Sequence, residues 1–170
     1  LLDRDGRYTL AGMPNLILAD DHAVVRTALH AMLEQTSAFR VVAQAQDHAQ
    51  VLEATLAHRA DLLLLDLGLP GMPLGELTAL LKARVPHLKI LVLTGDASGR
   101  SARQALAAGA HGYAVKSDDA EQLVAAMHAV LRGERYVAQV GAAPWRPAAG
   151  LSAQPPVDAS TLTGREREVL

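Results

Sequence analysis

The sequence predicts an α/β fold in which five parallel strands form a doubly wound sheet, and three observations carry that prediction. Short apolar runs alternate five times with segments of helical period. Three of those runs are apolar almost throughout, as parallel strands covered by helices on both faces must be. Aromatic residues make up only 3 % of a chain that is half apolar, so Leu, Ala and Val must build the core, and helices with small packing faces are favoured.

The first run is "NLILA", residues 15 to 19, which passes directly into Asp20 and Asp21. A helix is predicted over Ala23 to Glu34, where Val24, Ala28 and Leu29 recur at helical spacing. The second run, "FRVVAQA" at 39 to 45, precedes a helix over Ala49 to His58. The third, "LLLLD" at 62 to 66, stays apolar until its closing Asp66 and leads to a helix over Gly75 to Arg84. The fourth, "KILVLT" at 89 to 94, ends on Thr94 before a helix over Ser98 to Ala108. The fifth, "GYAVK" at 112 to 116, ends on Lys116, and a last helix over Asp119 to Leu131 gathers Leu123, Ala126, Met127 and Val130 on one face. Right-handed crossovers join such units into one open sheet.

From Gly133 onward the pattern decays. Residues 136 to 160, Pro- and Ala-rich from 141, read as a linker in which Trp145 has no assigned packing. In "TGREREVL", Thr163 and Glu166 form a capping box, with Val169 and Leu170 opening an apolar face, so a helix starts there. The natural protein is therefore expected to continue past Leu170. Met13 is a candidate native start, which makes residues 1 to 12 an expression remnant or a disordered N-terminus.

Composition narrows the chemistry. With no cysteine, disulfide frameworks and thiolate sites are excluded, and a cytoplasmic location is compatible. No apolar run reaches the roughly 20 residues that span a bilayer, and the N-terminus lacks a signal-peptide pattern, so no membrane role is expected. A formal charge of −2 and a pI near 6.4 argue against a large nucleic-acid surface within these residues.

Sites in open parallel sheets form outside the carboxyl ends of the strands. Those ends collect Asp20, Asp21, Asp66, Thr94 and Lys116. Three carboxylates within about 4 Å would each repel the next by roughly 4 kcal/mol at an effective dielectric near 20, so the cluster needs a counter-charge. An oxygen-ligated divalent cation, best fitted by Mg²⁺, supplies one, and Lys116 a second. A carboxylate nucleophile, a cation, an ammonium and a hydroxyl suit phosphoryl transfer to a carboxylate. Asp66, which ends the central strand, is the candidate nucleophile, with Asp20 and Asp21 holding the metal. Taken singly each residue has a bland reading: the Asp pair as a helix-capping loop, Thr94 as turn chemistry, Lys116 as a solvated strand end. Lys82, Lys89 and Lys116 are the only lysines, which makes one at this strand end less expected by chance. The seven histidines, His22, His58 and His111 among them, show no metal-ligand spacing and read as surface or locally satisfied residues.

These residues lie in motifs that resemble a bacterial two-component response regulator, with a receiver domain over about residues 14 to 135. "ADDH" resembles the acidic pair of that family, "LLLLDLGLPGM" its phosphoacceptor strand and loop, "LVLTG" its hydroxyl strand and "GAHGYAVK" its Tyr and Lys segment. The resemblance implies a flavodoxin-like receiver fold with strand order 2-1-3-4-5. It also implies that a sensor histidine kinase phosphorylates Asp66 and that the Gly68 carbonyl joins Asp20, Asp21 and Asp66 around Mg²⁺. Lys116 would contact the phosphoryl group, Thr94 would swing toward it, and Tyr113 would change rotamer to fill the vacated space, a two-state switch.

"LTGREREVL", residues 162 to 170, resembles the start of the helix-turn-helix output domain of the NarL/LuxR class. That implies a DNA-binding transcription regulator, homodimeric when active, whose recognition helix lies outside this chain. On this reading the protein is no enzyme beyond promoting its own phosphorylation and dephosphorylation. Two departures stand out: Leu74 and then Gly75 where the family places a glycine one residue earlier, and Ser117 after Lys116, which implies an ordinary trans bond. Two alternatives remain open. One is an unphosphorylated pseudo-receiver scaffold. The other is a Mg-dependent phosphohydrolase, disfavoured because Gly68 stands where a second Asp would act as acid, and no phosphate-binding loop of the Walker type occurs.

Overall fold

The computed structural model describes residues 12–96 and 98–138. The expected N-terminal remnant, except Gly12, the linker from 139 onward, Trp145 and the tail helix at 161–170 lie outside the described residues. Within them the chain alternates β1 (Asn15–Ala19), α1 (Ala23–Thr36), β2 (Arg40–Ala45), α2 (His48–Ala57), β3 (Leu62–Asp66), α3 (Leu74–Arg84), β4 (Lys89–Thr94), α4 (Gly99–Ala107), β5 (Gly112–Val115), α5 (Ala120–Leu131) and β6 (Tyr136–Val137). The sheet order is β2-β1-β3-β4-β5-β6, and every pairing is parallel.

The expected order 2-1-3-4-5 is present, and the expected count of five strands is corrected to six. β6 is two residues long, with Tyr136 opposite Gly112 and Val137 opposite Tyr113. A strand of that length has no apolar period, so pairing with the free edge of β5 is its only signature.

Successive strand residues point to opposite faces. On one face Ile17, Leu63, Leu65, Ile90 and Val92 pack with Val51 of α2, Leu77 and Leu81 of α3 and Ala102 and Ala105 of α4. On the other, Leu16, Leu18, Leu62, Leu64, Leu91 and Leu93 meet Leu33 of α1 and Leu123, Ala126, Met127 and Val130 of α5. All four leucines of "LLLLD" are fully buried, because β3 is central and covered twice. Each such side chain contributes about 1.5–3 kcal/mol through burial. Ala102, Ala105 and Ala126 are the small helix faces that the aromatic-poor composition favoured.

Helix ends follow their caps. Asp47, Ser98 and Asp119 each accept a hydrogen bond from the backbone N–H three residues on, at the starts of α2, α4 and α5. α1 runs two residues past the expected Glu34 and closes at Ser37, whose left-handed backbone donates to the Glu34 carbonyl. No cis peptide bond occurs among the described residues, Lys116–Ser117 included. Among the described residues, no helix is long and apolar enough to cross a membrane.

His111 sits at the amino rim of the sheet, where its Nδ1 accepts the Ile90 N–H at 3.1 Å, so the neutral ring carries its proton on Nε2. Burial, reinforced by Lys89, Lys82 and Arg135, lowers its pKa to about 4. Burial lowers His48 and His128 as well. Between pH 6.5 and about 4 the unfolded chain therefore binds a proton at His111 that the folded chain refuses, and stability falls as pH falls through that window. The urea midpoint is expected to drop between pH 7 and pH 4.5. His111→Asn, whose Oδ1 replaces Nδ1 as acceptor, is expected to flatten that slope in part. An unchanged slope in the variant would contradict the assignment.

Candidate functional site at the carboxyl rim of the sheet

The site begins where β1 stops. Asp20 still donates its N–H to the Ala45 carbonyl at the end of β2, so its backbone is held by the sheet while its side chain turns into the rim. One carboxylate oxygen, Oδ1, accepts the His22 N–H at 2.8 Å, an Asx turn that swings the chain into α1. The Asp20 carbonyl accepts from Arg26 Nη1 at 2.7 Å, tying the first turn of α1 to the same residue. Asp66 closes β3, the strand next to β1.

Asp20 and Asp66 are only 1 % and 7 % exposed. Two carboxylates this dry need a cation. Lys116, just past β5, spans them, with Nζ at 2.6 Å from Asp20 Oδ2 and 3.0 Å from Asp66 Oδ1. Its aim is set by its backbone: the Lys116 N–H donates to the Thr94 carbonyl, and the next turn closes between Val115 and Asp118. Burial works against the ammonium, and the hydrogen bonds to Asp20 and Asp66 outweigh it, so the Lys116 pKa is raised and the side chain stays charged.

Asp21 lies on the exposed side of the same rim. Single ligand atoms of Asp20, Asp21, His22 and Asp66 all fall within 4.8 Å of one another. The sequence brought the three carboxylates and Lys116 together, and the structure agrees. It read His22 as a surface or locally satisfied residue. The ring is indeed exposed, but its Nδ1 lies 2.7 Å from Asp21 Oδ1 and 3.3 Å from Asp20 Oδ1, inside the acidic cluster.

Gly68 passes close to the central carboxylate, and a Cβ on it would stand 3.2 Å from Asp66 Oδ2. The loop carrying it is clasped from outside. His48 donates its N–H to the Pro70 carbonyl at 3.0 Å, and its ring lies where a Cβ on Gly71 would be, 2.5 Å from the His48 Cβ. Gly71 also has φ +145°, so only glycine fits. α3 then starts at Leu74, with the Pro73 carbonyl accepting from Glu76 and Leu77. A Cβ on Gly75 would meet nothing within 4 Å, so the displaced glycine leaves the start of this helix undisturbed.

Thr94 and Tyr113 meet at a residue the sequence did not single out. Thr94 Oγ1 accepts the Asp96 N–H at 3.1 Å, and the Tyr113 hydroxyl donates to the Asp96 carbonyl. The Tyr113 ring is already fully buried, and burial raises its pKa. The Asp96 carboxylate accepts from Ser98 and Ser101, and these hydroxyls, Ser101 foremost, hold its pKa below the ordinary value. One residue at the mouth of β4 is thus gripped from β4, β5 and the start of α4. Neither Asp96 nor His48 stands in a motif that a linear reading would mark.

An acidic pocket over the central strand of a doubly wound sheet, bridged by a lysine from the fifth strand, defines a class of signalling domain built around one aspartate. Residues 16–128 match the response regulator receiver domain, and the chain belongs to that family. It is 38 % identical over 123 residues to the oxygen regulatory protein NreC of Staphylococcus epidermidis and 36 % identical to that of Staphylococcus haemolyticus. Those alignments cover 72 % of this chain but 56 % and 57 % of the relatives, so the chain spans little more than half their length. Among solved structures, a LuxR-family two-component response regulator from Aurantimonas superposes with a TM-score of 0.68 at 32 % identity, covering 74 % of this chain and 89 % of that one. The receiver domain of the putative response regulator NarL from Mycobacterium tuberculosis gives 0.67 at 27 %, covering 72 % and 98 %. An RcsB–DNA complex gives 0.68 at 26 %, covering 76 % and 65 %. These likenesses agree with the NarL/LuxR class.

Removing the bridging cation leaves two dry carboxylates facing each other. In chelator, Lys116→Met is expected to lower unfolding free energy by about 3 kcal/mol. Combined with Asp20→Asn, the loss is expected to be less than additive by about 1–3 kcal/mol in urea denaturation. Strict additivity would mean that the three groups do not act as one ionic unit.

Proposed function

We infer that residues 14–135 act as a phosphorylation-controlled receiver in which Asp66 accepts a phosphoryl group from a sensor histidine kinase. The observation that carries this reading is the Lys116 bridge, which holds a charged ammonium against the acceptor carboxylate and its neighbour. A carboxylate oxygen of Asp66 attacks phosphorus, the bond from phosphorus to the donor nitrogen breaks, and an acyl phosphate forms. The Lys116 ammonium stabilises the equatorial oxygens, and the Thr94 hydroxyl is the second donor within the rim.

The donor set fits a hard divalent cation. Asp20, Asp21 and Asp66 offer carboxylate oxygens within 4.8 Å of one another, and the backbone at Gly68 passes beside Asp66. Asp20, Asp21, Asp66 and the Gly68 carbonyl would hold Mg²⁺, which when bound supplies positive charge to the transferring phosphoryl oxygens. Gly68 carries no acid that could protonate a leaving alcohol, which weighs against a phosphohydrolase.

The switch runs through residue 96. A Thr94 hydroxyl that turns toward a phosphoryl group releases the Asp96 N–H, and the rotamer change expected of Tyr113 would release the Asp96 carbonyl. The start of α4 then responds through the Asp96 carboxylate and its serine partners. The linker expected from residue 136 starts after β6 (Tyr136–Val137), so residues 139–160 are read as linker and 161–170 as the opening of a helix-turn-helix output domain. From the regulators it resembles, among them RcsB, solved as dimers on DNA, comes the further reading of a cytoplasmic transcription regulator that pairs when active.

Incubation with acetyl phosphate and Mg²⁺ tests the acceptor. Intact mass is expected to rise by one phosphoryl group, with no rise in chelator and none in Asp66→Asn. Labelling that survives in Asp66→Asn would move the acceptor elsewhere, and no labelling of the wild type under any condition would favour the pseudo-receiver scaffold.

A further inference from the structure

At the opposite rim, below the amino ends of β4 and β5, a cleft of about 260 Å³ opens between the end of α3, the end of α4 and the turn from α5 to β6. Lys82, His111 and Arg135 line it, and Lys89 stands close enough to His111 to act on its charge. None of Lys82, Lys89 and Arg135 forms an ion pair among the described residues. The one carboxylate on the wall, Glu134, is taken up by Arg132 through two hydrogen bonds of 2.7 and 3.0 Å.

We propose that this cleft binds a small phosphate-bearing anion. Its unpaired charged side chains are cations. The Nε2–H of His111 remains after Nδ1 is used by Ile90, and the Lys82 ammonium and the Arg135 guanidinium line the same cleft. The wall's backbone N–H groups are spent internally: Gly109 on Leu106, Ala110 on Ala105, His111 on Ile90, Gly133 on Val130 and Glu134 on Ala129. Recognition therefore falls to side-chain cations, which favours a multiply charged ligand over a neutral one. At about 30 Å³ per water, the volume suits a pyrophosphate or a compact phosphomonoester.

The simplest competing account is that Lys82 only offsets the negative end of α4. It fits Lys82, whose Nζ lies 2.9 Å from the Cβ that Gly109 lacks at φ +104°. It leaves Arg135 and the His111 donor without a role. The inference is independent of the function proposed above, because β4 separates this cleft, at Lys89, from the acidic rim, at Thr94.

The test is titration of the 170-residue chain, in chelator, with inorganic phosphate, pyrophosphate and glycerol phosphate, followed by calorimetry and by amide NMR shifts. Saturable binding is expected with shifts confined to residues 109–111 and 133–135. Lys82→Gln and Arg135→Gln are each expected to weaken it about tenfold, the equivalent of about 1.4 kcal/mol. The distant control Arg40→Gln is expected to change nothing. Preference for glycerol phosphate assigns an organic phosphoryl ligand, and equal affinity assigns the free ion. Unsaturable shifts across all surface cations, or binding indifferent to both cleft variants, would overturn the proposal. So would a short DNA duplex that moves these amides when the small anions do not.

Discussion

The arrangement depends on one ionic bridge: the Lys116 ammonium between two nearly buried carboxylates on different strands. Burying either carboxylate alone would cost several kcal/mol. The fold makes the cluster accessible by topology. β1 and β3 are neighbours, so Asp20 and Asp66 meet at their shared carboxyl end, and β5 lies one strand beyond β4, within reach of a lysine side chain. A shorter cation could not cross that gap, and a register slip in either strand would turn its carboxylate to the wrong height. The packing of "LLLLD" on both faces is thus a condition of the chemistry at its end.

Much of this was legible because the physical signals were local. Uniformly apolar runs marked β1, β3 and β4 to the residue, and the polar residue ending each run marked the rim. Helix ends were less legible. α2 begins at His48 because the side chain of Asp47 caps it, whereas the apolar period alone starts at Ala49. β6 could not be read at all, since two residues carry no period.

The site shows the same division. Asp20, Asp21, Asp66 and Lys116 were found because their charge is unusual at strand ends. His48 and Asp96 were missed because each gains its place from a contact across space: a glycine too close for a Cβ, a tyrosine hydroxyl from another strand. Position 96 would be an ordinary loop aspartate but for the Thr94 and Tyr113 groups on its peptide. Nothing in the spacing of those residues announces that both bonds fall on the backbone of one residue.

The two-residue β6 has a mechanical side. Tyr113 is opposite Val137 in register, and its carbonyl accepts the Ala138 N–H. The residue whose ring seats in the interior beside α4 is therefore also a backbone mooring for β6 and Ala138. A segment held by so few bonds takes its bearing from that mooring, much as a rope takes its lead from the final cleat. A small rotation of the Tyr113 backbone would swing β6 and Ala138 without breaking the sheet behind them.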